Sequence, residues 1–557
     1  MVRLHHTLAA SARMIVVSAL LSAFTSPEGA AAVLSAWTAS SLERIWEYSP
    51  AGPSHRADLH AAKDETYSFQ IGLQSSSGTL AVEKVTTHGL TGPRGATISG
   101  SDIVLYREQY ISVPALPAYL SSGPNAPTGA GRYPDGLIPF VDPETDVAPV
   151  GARLTAVPFN VVKGKNQVLW VDVHVPLGAA PGTYNGTFTM SGPFGFSVVN
   201  CKLQVWNFTL PRVPSLKSSV QSYHNRNDLM ARELLRHRQS PAWWISSRSL
   251  ESQYIDQYGL NSVSVFKGTG WYLGNCRRAL SVSEPPASEY RAFYKAHDPR
   301  LVMFNFLADQ VGPDHGCTGV YPMLVQWADD MHAAQRQLKS FLSVSPQPDR
   351  AVSSLYGKVD IWAVLPIEYQ EHAPDNKARM AAGDQVWLYN AQVSDNYSPK
   401  QNLNWGSLDW RLAMGYLTAN TGLSGWQQWA VDCWNSDPWH SGAPGDCSSP
   451  EVPGDGMSMY PGRDVGLLGY APSIRMKWSR DGINDYEYVQ ILKRLGEGAW
   501  ALSQIDRIAH DFANWTKDPR QLEAVRQLLG NRVDQLSGTK PATASVPVPS
   551  VDRARIR

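Results

Sequence analysis

The chain has 557 residues, and its 49 lysines and arginines are balanced by 49 aspartates and glutamates, so its formal net charge at pH 7 is zero. A chain of this length is too long for one ordinary hydrophobic core, and two folded domains are expected. The balanced charge gives no argument for long-range electrostatic attraction to nucleic acid or to an anionic membrane.

The first 32 residues have the order of a secretory signal peptide. Arg3 and Arg13 lie around a polar start, a short apolar run follows at 14–24, and small residues come next at 29–32. The apolar run is shorter than the roughly 20 residues that a membrane-spanning helix needs. We therefore expect residues 1–32 to be a signal peptide, and the mature protein to be secreted, periplasmic or held at the cell surface without a transmembrane segment.

The five cysteines are compatible with an oxidising compartment. Cys433 and Cys447 lie on either side of a loop rich in glycine, proline and serine, and a disulfide between them would fasten this loop. Cys276 and Cys317 could pair as well, whereas Cys201 is expected to be a buried thiol on the apolar side of a strand. Because the sequence has no Cys-x-x-Cys motif and no Cys/His cluster with zinc spacing, neither a metal site nor a cofactor is predicted.

Residues 34–212 are predicted to form an antiparallel β-sandwich. Apolar and polar side chains alternate along 67–74, 169–175 and 199–205. Such alternation between turn signals is typical of half-buried strands in an antiparallel sandwich. No catalytic constellation is visible in this half of the chain. The segment 211–214, Pro-Arg-Val-Pro, is predicted to be a linker, because proline ends sheet pairing.

Residues 213–536 alternate between helical and strand-like patterns. A helix is predicted to begin at 229–235, and apolar residues recur at helical spacing from Leu324 to Leu342. The intervening short apolar runs, which are typical of buried parallel strands, are 301–307, 359–365, 385–389 and 425–430. This alternation favours a (β/α)8-type barrel, with a doubly wound sheet as the alternative. Residues 537–557, rich in Pro, Ser, Thr and Ala, are predicted to be a disordered tail.

In a barrel of this type the active site lies at the C-terminal ends of the strands. The four predicted strands end in carboxylates, amides and aromatic rings, namely Asp309, Gln310, Glu368, Tyr389, Asn390, Trp429, Asp432 and Trp434. Aromatic rings offer flat apolar surfaces to the C–H faces of sugars, while amides and carboxylates form hydrogen bonds with the hydroxyl groups. The pattern therefore predicts a carbohydrate site.

Three motifs of the second domain resemble glycoside hydrolase family 123 and the related domain of unknown function. They are residues 383–389, residues 410–416 with 422–426, and the set 454–456, 460–462, 473–475 and 480–488. Segments 180–184 and 206–211 are similar to the N-terminal sandwich of that family, so the resemblance covers most of the mature chain. It implies a β-N-acetylgalactosaminidase in which the substrate's own acetamido carbonyl attacks the anomeric carbon. An enzyme aspartate then orients the acetamido group, and the adjacent glutamate protonates the leaving oxygen.

This chain departs from the family pattern at the acid. The Asp-Glu pair of the family falls at Asp309 and Gln310, so the aspartate matches and the glutamate does not. A glutamine amide has no proton that it can lose near neutral pH, and the loss of one acid/base group typically costs about 10²–10⁴ in rate.

Three hypotheses follow from Gln310. The acid has moved, with Glu368 as the leading candidate and Asp314 and His315 behind it. In the second hypothesis the barrel binds glycans without cleaving them. In the third the alignment at Gln310 is displaced, and Asp314 is then the natural acidic neighbour.

The favoured hypothesis is a secreted glycoside hydrolase that acts on a polysaccharide or glycoconjugate, with an N-acetylhexosamine as the sugar that the resemblance implies. Asp309 would be the electrostatic stabiliser or base, and Glu368 the displaced acid. The predicted sugar contacts are Gln310, Trp387, Tyr389, Trp426 and Trp429. The alternative is a non-catalytic glycan-binding protein built on the same barrel.

Other polar residues of the motifs are interpreted as structural. Arg475 and Arg480 are expected to pair with acids of the same motif as internal scaffolding. Asn484 is predicted to be a helix N-cap with Glu487 as its capping-box partner. Asp455 lies between two glycines and is predicted to be a turn residue.

Overall fold

The structure is a computed structural model that describes residues 33–115, 125, 129–243, 245–265, 284–313, 318–390, 398–443, 445, 447 and 452–539. The predicted signal peptide, the last 18 residues of the predicted tail (540–557), and Cys276, Asp314, His315 and Cys317 lie outside these residues. The expectations that concern them stay predictions.

The first domain consists of short and long β-strands. They are β1 (Leu34–Ser40), β2 (Arg56–Lys63), β3 (Glu65–Ser75), β4 (Thr79–Val82), β5 (Lys84–Thr87), β6 (Leu90–Thr91), β7 (Thr97–Ile98), β8 (Ile103–Val113), β9 (Gly131–Pro139), β10 (Phe159–Val162), β11 (Gln167–Val175), β12 (Gly182–Gly192) and β13 (Gly195–Thr209). One sheet has the order β1-β3-β11-β8-β9 and is antiparallel throughout. A second has the order β2-β13-β12-β6-β7, with β5 also on β12. In it β2 runs parallel to β13, which the prediction of a purely antiparallel sandwich did not foresee.

The two larger sheets share one hydrophobic core, to which strands of both contribute. The predicted alternation along β3 is seen there, because Tyr67, Phe69, Ile71 and Leu73 all point into this core. Ser68 is buried as well, since the opposite face of β3 meets the second domain. Cys201 is a buried free thiol, as predicted.

The second domain is built on a seven-stranded parallel sheet with the order β14-β20-β19-β18-β17-β16-β15. Its strands are β14 (Lys217–Val220), β15 (Ser262–Val265), β16 (Val302–Ala308), β17 (Lys339–Ser343), β18 (Ile361–Val364), β19 (Gln385–Asn390) and β20 (Gly425–Gln428). From β15 to β20 each strand lies beside the previous one, whereas a doubly wound sheet reverses its order.

Side-chain hydrogen bonds connect the two edge strands of this sheet, β14 and β15. The amide of Asn261 donates to the carbonyls of Pro214 and Leu216, and the hydroxyl of Ser262 donates to the carbonyl of Ser218. The sheet is therefore a nearly closed barrel. Seven parallel strands are found among the described residues, and the predicted eighth strand is not confirmed.

The helices and remaining strands follow one another around the barrel. They are α1 (Asp228–Arg236), α2 (Arg248–Tyr258), α3 (Ala287–Ala296), α4 (Tyr321–Ala334), α5 (Arg350–Ser353), α6 (Pro366–Glu371), α7 (Ala373–Ala381), α8 (Ser407–Leu412), α9 (Thr418–Thr421), β21 (Met459–Pro461), β22 (Tyr470–Pro472), α10 (Ile474–Arg494), α11 (Gly498–Ile505), β23 (Ala509–Asp511), β24 (Asn514–Trp515) and α12 (Pro519–Thr539). A π-helical turn at Ala413–Leu417 joins α8 to α9. In the described part of the chain, no helix has the length and apolar character needed to cross a membrane.

One predicted helix was wrong in its second half. Helix α4 ends at Ala334, and the apolar residues from Leu338 to Leu342 lead into strand β17 and form part of it. The apolar spacing continued across this boundary without a glycine or proline to mark it, and a short apolar run fits a buried strand as well as a helix.

Helix α10 carries the longest family motif and lies almost wholly buried, between helices of its own domain and strands β3 and β9 of the first domain. It begins after Ser473, whose side chain accepts the backbone N–H of Met476, so the predicted N-cap at Asn484 was wrong. Glu487 instead accepts a hydrogen bond from the hydroxyl of Ser215 at 2.9 Å, where the chain passes from the first domain into the barrel domain.

The scaffolding interpretation of the two motif arginines is correct, but most of their partners lie in the other domain. Arg475 pairs with Asp135 of β9 at 2.9 Å. Arg480 pairs with Asp172 of β11 at 2.9 Å, and with Asp481 of its own helix at the same distance. The motif is thus the buried ionic contact between the domains.

Candidate active site

Aromatic rings fill the interior of the barrel below the C-terminal strand ends. Trp387 is fully buried, and its ring lies 5.6 Å from that of Phe304 and 5.3 Å from that of Phe341 between ring centres. Gly425 leaves room for this indole, because a Cβ there would lie 2.5 Å from the ring. Trp387 is therefore packing inside the barrel, and the prediction that it contacts sugar is not supported.

Asp309 and Tyr389 lie one layer closer to the strand ends. The hydroxyl groups of Ser343, at the end of β17, and of Tyr389, near the end of β19, both donate to the Asp309 carboxylate. One oxygen of this carboxylate, Oδ1, is buried and has no hydrogen-bond partner among the described residues. Burial raises the pKa of Asp309 to about 6, although the two hydrogen bonds act in the opposite direction.

Gln310 adjoins Asp309 in a strained backbone conformation. Its φ is 52°, in the left-handed region that non-glycine residues rarely adopt. Such a conformation costs on the order of 1 kcal/mol and is concentrated at binding and catalytic sites. The residue at the position predicted for the family acid is thus held in a special conformation, with its side chain half-buried.

Asp455 is the site residue that the sequence interpretation missed. It lies in a turn, as predicted, but its side chain is only 1 % exposed. Oδ1 accepts the indole N–H of Trp429 at 3.2 Å, and Oδ2 is buried without a partner among the described residues. Burial raises the pKa of Asp455 to about 6, opposed by the Trp429 hydrogen bond and by the charge of Arg475.

Tyr389 connects the two aspartates. Its pKa is raised well above its ordinary value, first by burial and then by the charges of Asp309 and Asp455, with a smaller contribution from Glu368. Three carboxylates therefore act on one phenol at the mouth of the barrel. The signal in the sequence was the pair of glycines around Asp455, since a Cβ at Gly456 would lie 2.4 Å from the Trp429 ring. A conformation with φ of +66° at Gly456 lets the loop pass this close to the ring.

Arg475 fixes the loop that carries Asp455. Its guanidinium donates to the carbonyl of Gly454 at 2.7 Å, to that of Gln401 at 2.8 Å and to that of Met457. The same group pairs with Asp135 of the first domain, so the interdomain contact and the site share one arginine.

Glu368, the predicted displaced acid, serves as a helix cap. It is the third residue of α6, and its Oε2 accepts the backbone N–H of Leu365 at 3.0 Å. One of its oxygens is thus committed to the start of this helix, although its charge reaches Tyr389.

The two remaining predicted sugar contacts lie in different surroundings. Trp429 is half-buried and packs against the rings of the barrel interior, with its indole N–H on Asp455. Trp426 is fully buried and points the other way, where its ring meets that of Trp410 at 6.1 Å. The prediction that Trp426 contacts sugar is therefore not supported, because successive residues of a strand face opposite sides.

Asp432 and a disulfide hold the loops beside the site. The Asp432 carboxylate accepts the hydroxyl of Ser222 at 2.7 Å and the backbone N–H groups of Tyr223 at 2.6 Å and of Asn225 at 2.9 Å. The predicted disulfide between Cys433 and Cys447 is present. Among the described residues, no group of three His, Cys, Asp or Glu side chains comes together to hold a metal ion.

This arrangement suits acid–base chemistry on a hydroxyl-rich molecule. Two aspartates with raised pKa values act on the same phenol, and each has a buried oxygen without a partner among the described residues. A group whose pKa lies near the working pH can both donate and accept a proton. Unpartnered buried acceptors also suit a ligand that brings O–H or N–H donors.

Comparison with known proteins agrees with this chemistry. Residues 326–492 match the family described as "Glycoside hydrolase 123, catalytic domain". No curated protein matches the chain significantly. The match confirms the resemblance stated from the sequence motifs, but its range begins after Gln310 and so does not bear on that position.

One solved structure supports the two-domain architecture with a barrel. A family 123 glycoside hydrolase from Clostridium perfringens, whose study concerns glycolipid glycan hydrolysis, has a TM-score of 0.62 at 12 % identity, over 91 % of this chain and 98 % of that one. β-D-Glucuronidase from Dictyoglomus thermophilum has a TM-score of 0.30 at 8 % identity, over 75 % and 66 % of the two chains. Bacteroides uniformis β-glucuronidase 2 has a TM-score of 0.27 at 10 % identity, over 72 % and 47 %. The latter two similarities are too weak to carry an argument.

Proposed function

We propose that this chain is an exported glycoside hydrolase that cleaves the bond next to an N-acetylhexosamine in a polysaccharide or glycoconjugate. The glycosidase-like character rests on the family match of residues 326–492. The observation that carries the proposal is the Asp309 carboxylate beside Ser343 and Tyr389, whose Oδ1 is buried and has no hydrogen-bond partner among the described residues.

The free oxygen of Asp309 supports the acetamido sugar as substrate. An N–H group of a 2-acetamido substituent would satisfy Oδ1 and place its carbonyl oxygen for attack on the anomeric carbon. A carboxylate at this position stabilises the positive charge that develops on the acetamido group in the transition state. Half-buried Trp429 supplies an aromatic surface nearby.

Three observations support export and the substrate class. The order of residues 1–32 is that of a signal peptide, and the disulfide between Cys433 and Cys447 is of the kind that persists in oxidising compartments. The family 123 enzyme from Clostridium perfringens was studied in glycolipid glycan hydrolysis, which favours a glycoconjugate as the substrate class.

The test is a panel of aryl glycosides incubated with the wild-type protein. The acetamido members are the β-N-acetylgalactosaminide and the β-N-acetylglucosaminide, and the neutral members are the β-galactoside and the β-glucoside. Turnover of an acetamido sugar and none of its neutral counterpart is expected, because only the former carries the internal nucleophile. Turnover restricted to neutral sugars would refute the substrate-assisted scheme.

Gln310 favours one second candidate, a glycan-binding protein without catalysis. A glutamine beside Asp309 can form hydrogen bonds with a sugar but cannot protonate a leaving group. Calorimetric binding of N-acetylgalactosamine, together with no release of the aryl group from any member of the panel, would favour this candidate over the hydrolase.

Gln310→Glu is expected to raise the hexosaminidase activity, because it restores a carboxyl group beside Asp309 as in the family pair. The readout is kcat/KM on the acetamido glycoside that the panel identifies. Gln337→Glu, an exposed position at the end of α4, adds the same charge away from the site and should change nothing. An unchanged or lower rate in Gln310→Glu would show that position 310 no longer lies beside the leaving oxygen.

A further inference from the structure

The three carboxylates that raise the pKa of Tyr389 differ in the hydrogen bonds that their oxygens already accept. Asp309 holds the hydroxyl groups of Ser343 and Tyr389, and in the proposed function its free oxygen takes the acetamido N–H. Glu368 uses Oε2 to cap the helix in which it lies. Asp455 receives hydrogen bonds from the indole of Trp429 and from the backbone of Gly456, and its Oδ2 has no partner in the part of the chain that the structure describes.

Burial of the unpartnered Asp455 oxygen lowers the stability of the folded protein unless a ligand supplies a hydrogen-bond donor. The side chain is 1 % exposed, and a buried carboxylate oxygen without a donor costs free energy that a merely structural turn residue would avoid. A serine would suit the turn equally well without a second buried oxygen. The carboxyl group is therefore unexplained by the local fold.

The surroundings of Asp455 hold it in place rather than neutralise it. Trp429 fixes Oδ1, and Arg475 holds the carbonyls on both sides, of Gly454 and Met457, so that the loop is rigid. The Arg475 guanidinium itself is taken up by Asp135. A general acid requires a carboxyl group that is held in position and has one oxygen available to carry the transferred proton.

We propose that Asp455 is the acid/base carboxyl that replaces the family glutamate missing at position 310. This assignment rests on the proposed function and differs from the sequence-based expectation that Glu368 took over the role. The raised pKa of Asp455, to about 6, agrees with a group that remains partly protonated in weakly acidic to neutral solution.

The proton balance of the reaction is complete with these residues. In the first step the acetamido carbonyl oxygen bonds to the anomeric carbon, the bond to the leaving oxygen breaks with its electron pair on that oxygen, and the Asp455 carboxyl gives it a proton. Asp309 accepts a hydrogen bond from the acetamido N–H as positive charge develops there. In the second step water attacks the anomeric carbon, the bond to the acetamido oxygen breaks, and Asp455 takes the proton of the water back.

The assignment predicts a loss that depends on the leaving group. Asp455→Asn keeps an oxygen for the Trp429 hydrogen bond but has no acidic proton, so it is expected to fold. Its kcat/KM on a phenyl N-acetylhexosaminide should fall by about 10²–10⁴-fold. On the 2,4-dinitrophenyl glycoside of the same sugar, whose leaving group departs without a proton, the loss should be less than about 10-fold.

Two further variants give the comparison. Asp437→Asn changes a half-exposed carboxylate in the loop after β20 and should leave both substrates unaffected. Trp429→Phe removes the hydrogen bond that lowers the pKa of Asp455, so the alkaline limb of the pH–rate profile should move to higher pH. A structural role for Asp455 would produce neither effect, and equal melting temperatures confirm that each variant is folded.

Each result decides between the assignments. Equal losses of Asp455→Asn on the two substrates would overturn the role of Asp455 while leaving the hydrolase intact. A leaving-group-dependent loss in Glu368→Gln, absent in Asp455→Asn, would assign the acid to Glu368. No turnover of either substrate by the wild-type protein would overturn the proposed function and, with it, this inference.

Discussion

Asp309→Asn is expected to lower kcat/KM on an acetamido glycoside by about 10²–10⁴-fold, without destabilising the folded protein at pH 7. The substitution removes the negative charge that stabilises the developing charge on the acetamido group. An asparagine still accepts a hydrogen bond from Ser343 or Tyr389, so the local packing is kept.

The effect on stability has the opposite sign from the effect on activity. The pKa of Asp309 in the folded state, about 6, lies above its ordinary value of 3.8, so the folded protein binds the proton more tightly than the unfolded chain. The stability associated with the neutral carboxyl is present below about pH 4 and is lost as the pH rises to about 6. Asparagine avoids this loss, and a gain of about 1–3 kcal/mol in the free energy of unfolding is expected at pH 7.

Urea unfolding of the wild-type protein and of Asp309→Asn at pH 4 and at pH 7 measures this difference. The stability of the variant relative to wild type should be greater at pH 7 than at pH 4. Asp437→Asn, at a half-exposed carboxylate, serves as the control for exchanging a carboxylate for an amide outside the site. A variant that is less stable than wild type at pH 7 would mean that Asp309 is structural and that its lost activity reflects misfolding.

Arg475→Met should be the most destabilising substitution, with a loss of about 3–5 kcal/mol in the free energy of unfolding. It leaves the Asp135 carboxylate buried without its cation, and the carbonyls of Gln401, Gly454 and Met457 lose their donor. An unpaired charge in the protein interior is far more costly than a missing surface pair.

Two comparisons make the test of Arg475 specific. Arg520→Met breaks an exposed pair with Asp518 and should leave the urea concentration at the unfolding midpoint nearly unchanged. The double variant Arg475→Met with Asp135→Leu removes both charges together and should recover part of the loss. If Arg475→Met and Arg520→Met unfold at the same urea concentration, the buried contact does not hold the domains together.

The barrel strands could be predicted from the sequence because each is a short apolar run that ends in polar residues. The four predicted strands correspond to β16, β18, β19 and β20. Strand β17 was assigned to a helix, since Leu338, Phe341 and Leu342 continue the spacing of helix α4. Apolar periodicity alone does not show where a helix gives way to a strand.

The aromatic residues were harder to predict, because neighbouring residues of a barrel strand point to opposite sides. Trp426 faces the helices and Trp387 fills the barrel, while Tyr389, two residues beyond Trp387, reaches the site. Alternation along a strand indicates which residues share a side of the barrel wall. The sequence does not show at which layer of the barrel the packed interior ends and the site begins.

Asp455 could not be recognised from the sequence because its role depends on long-range contacts. Its neighbours in space, Tyr389 and Trp429, lie 66 and 26 positions earlier in the chain. The glycines around it indicated a turn, which is correct for the backbone and says nothing of the side chain. For the same reason the longest family motif suggested a site, whereas helix α10 forms the buried contact between the domains.

The most direct test of the proposed reaction is proton NMR of an aryl β-N-acetylhexosaminide during hydrolysis by the wild-type protein. The account predicts release of the sugar with retained anomeric configuration as the first product, because the acetamido oxygen and then water each displace a group at the same carbon. An inverted first product would contradict the substrate-assisted scheme, and the absence of any released sugar would contradict the assignment as a hydrolase.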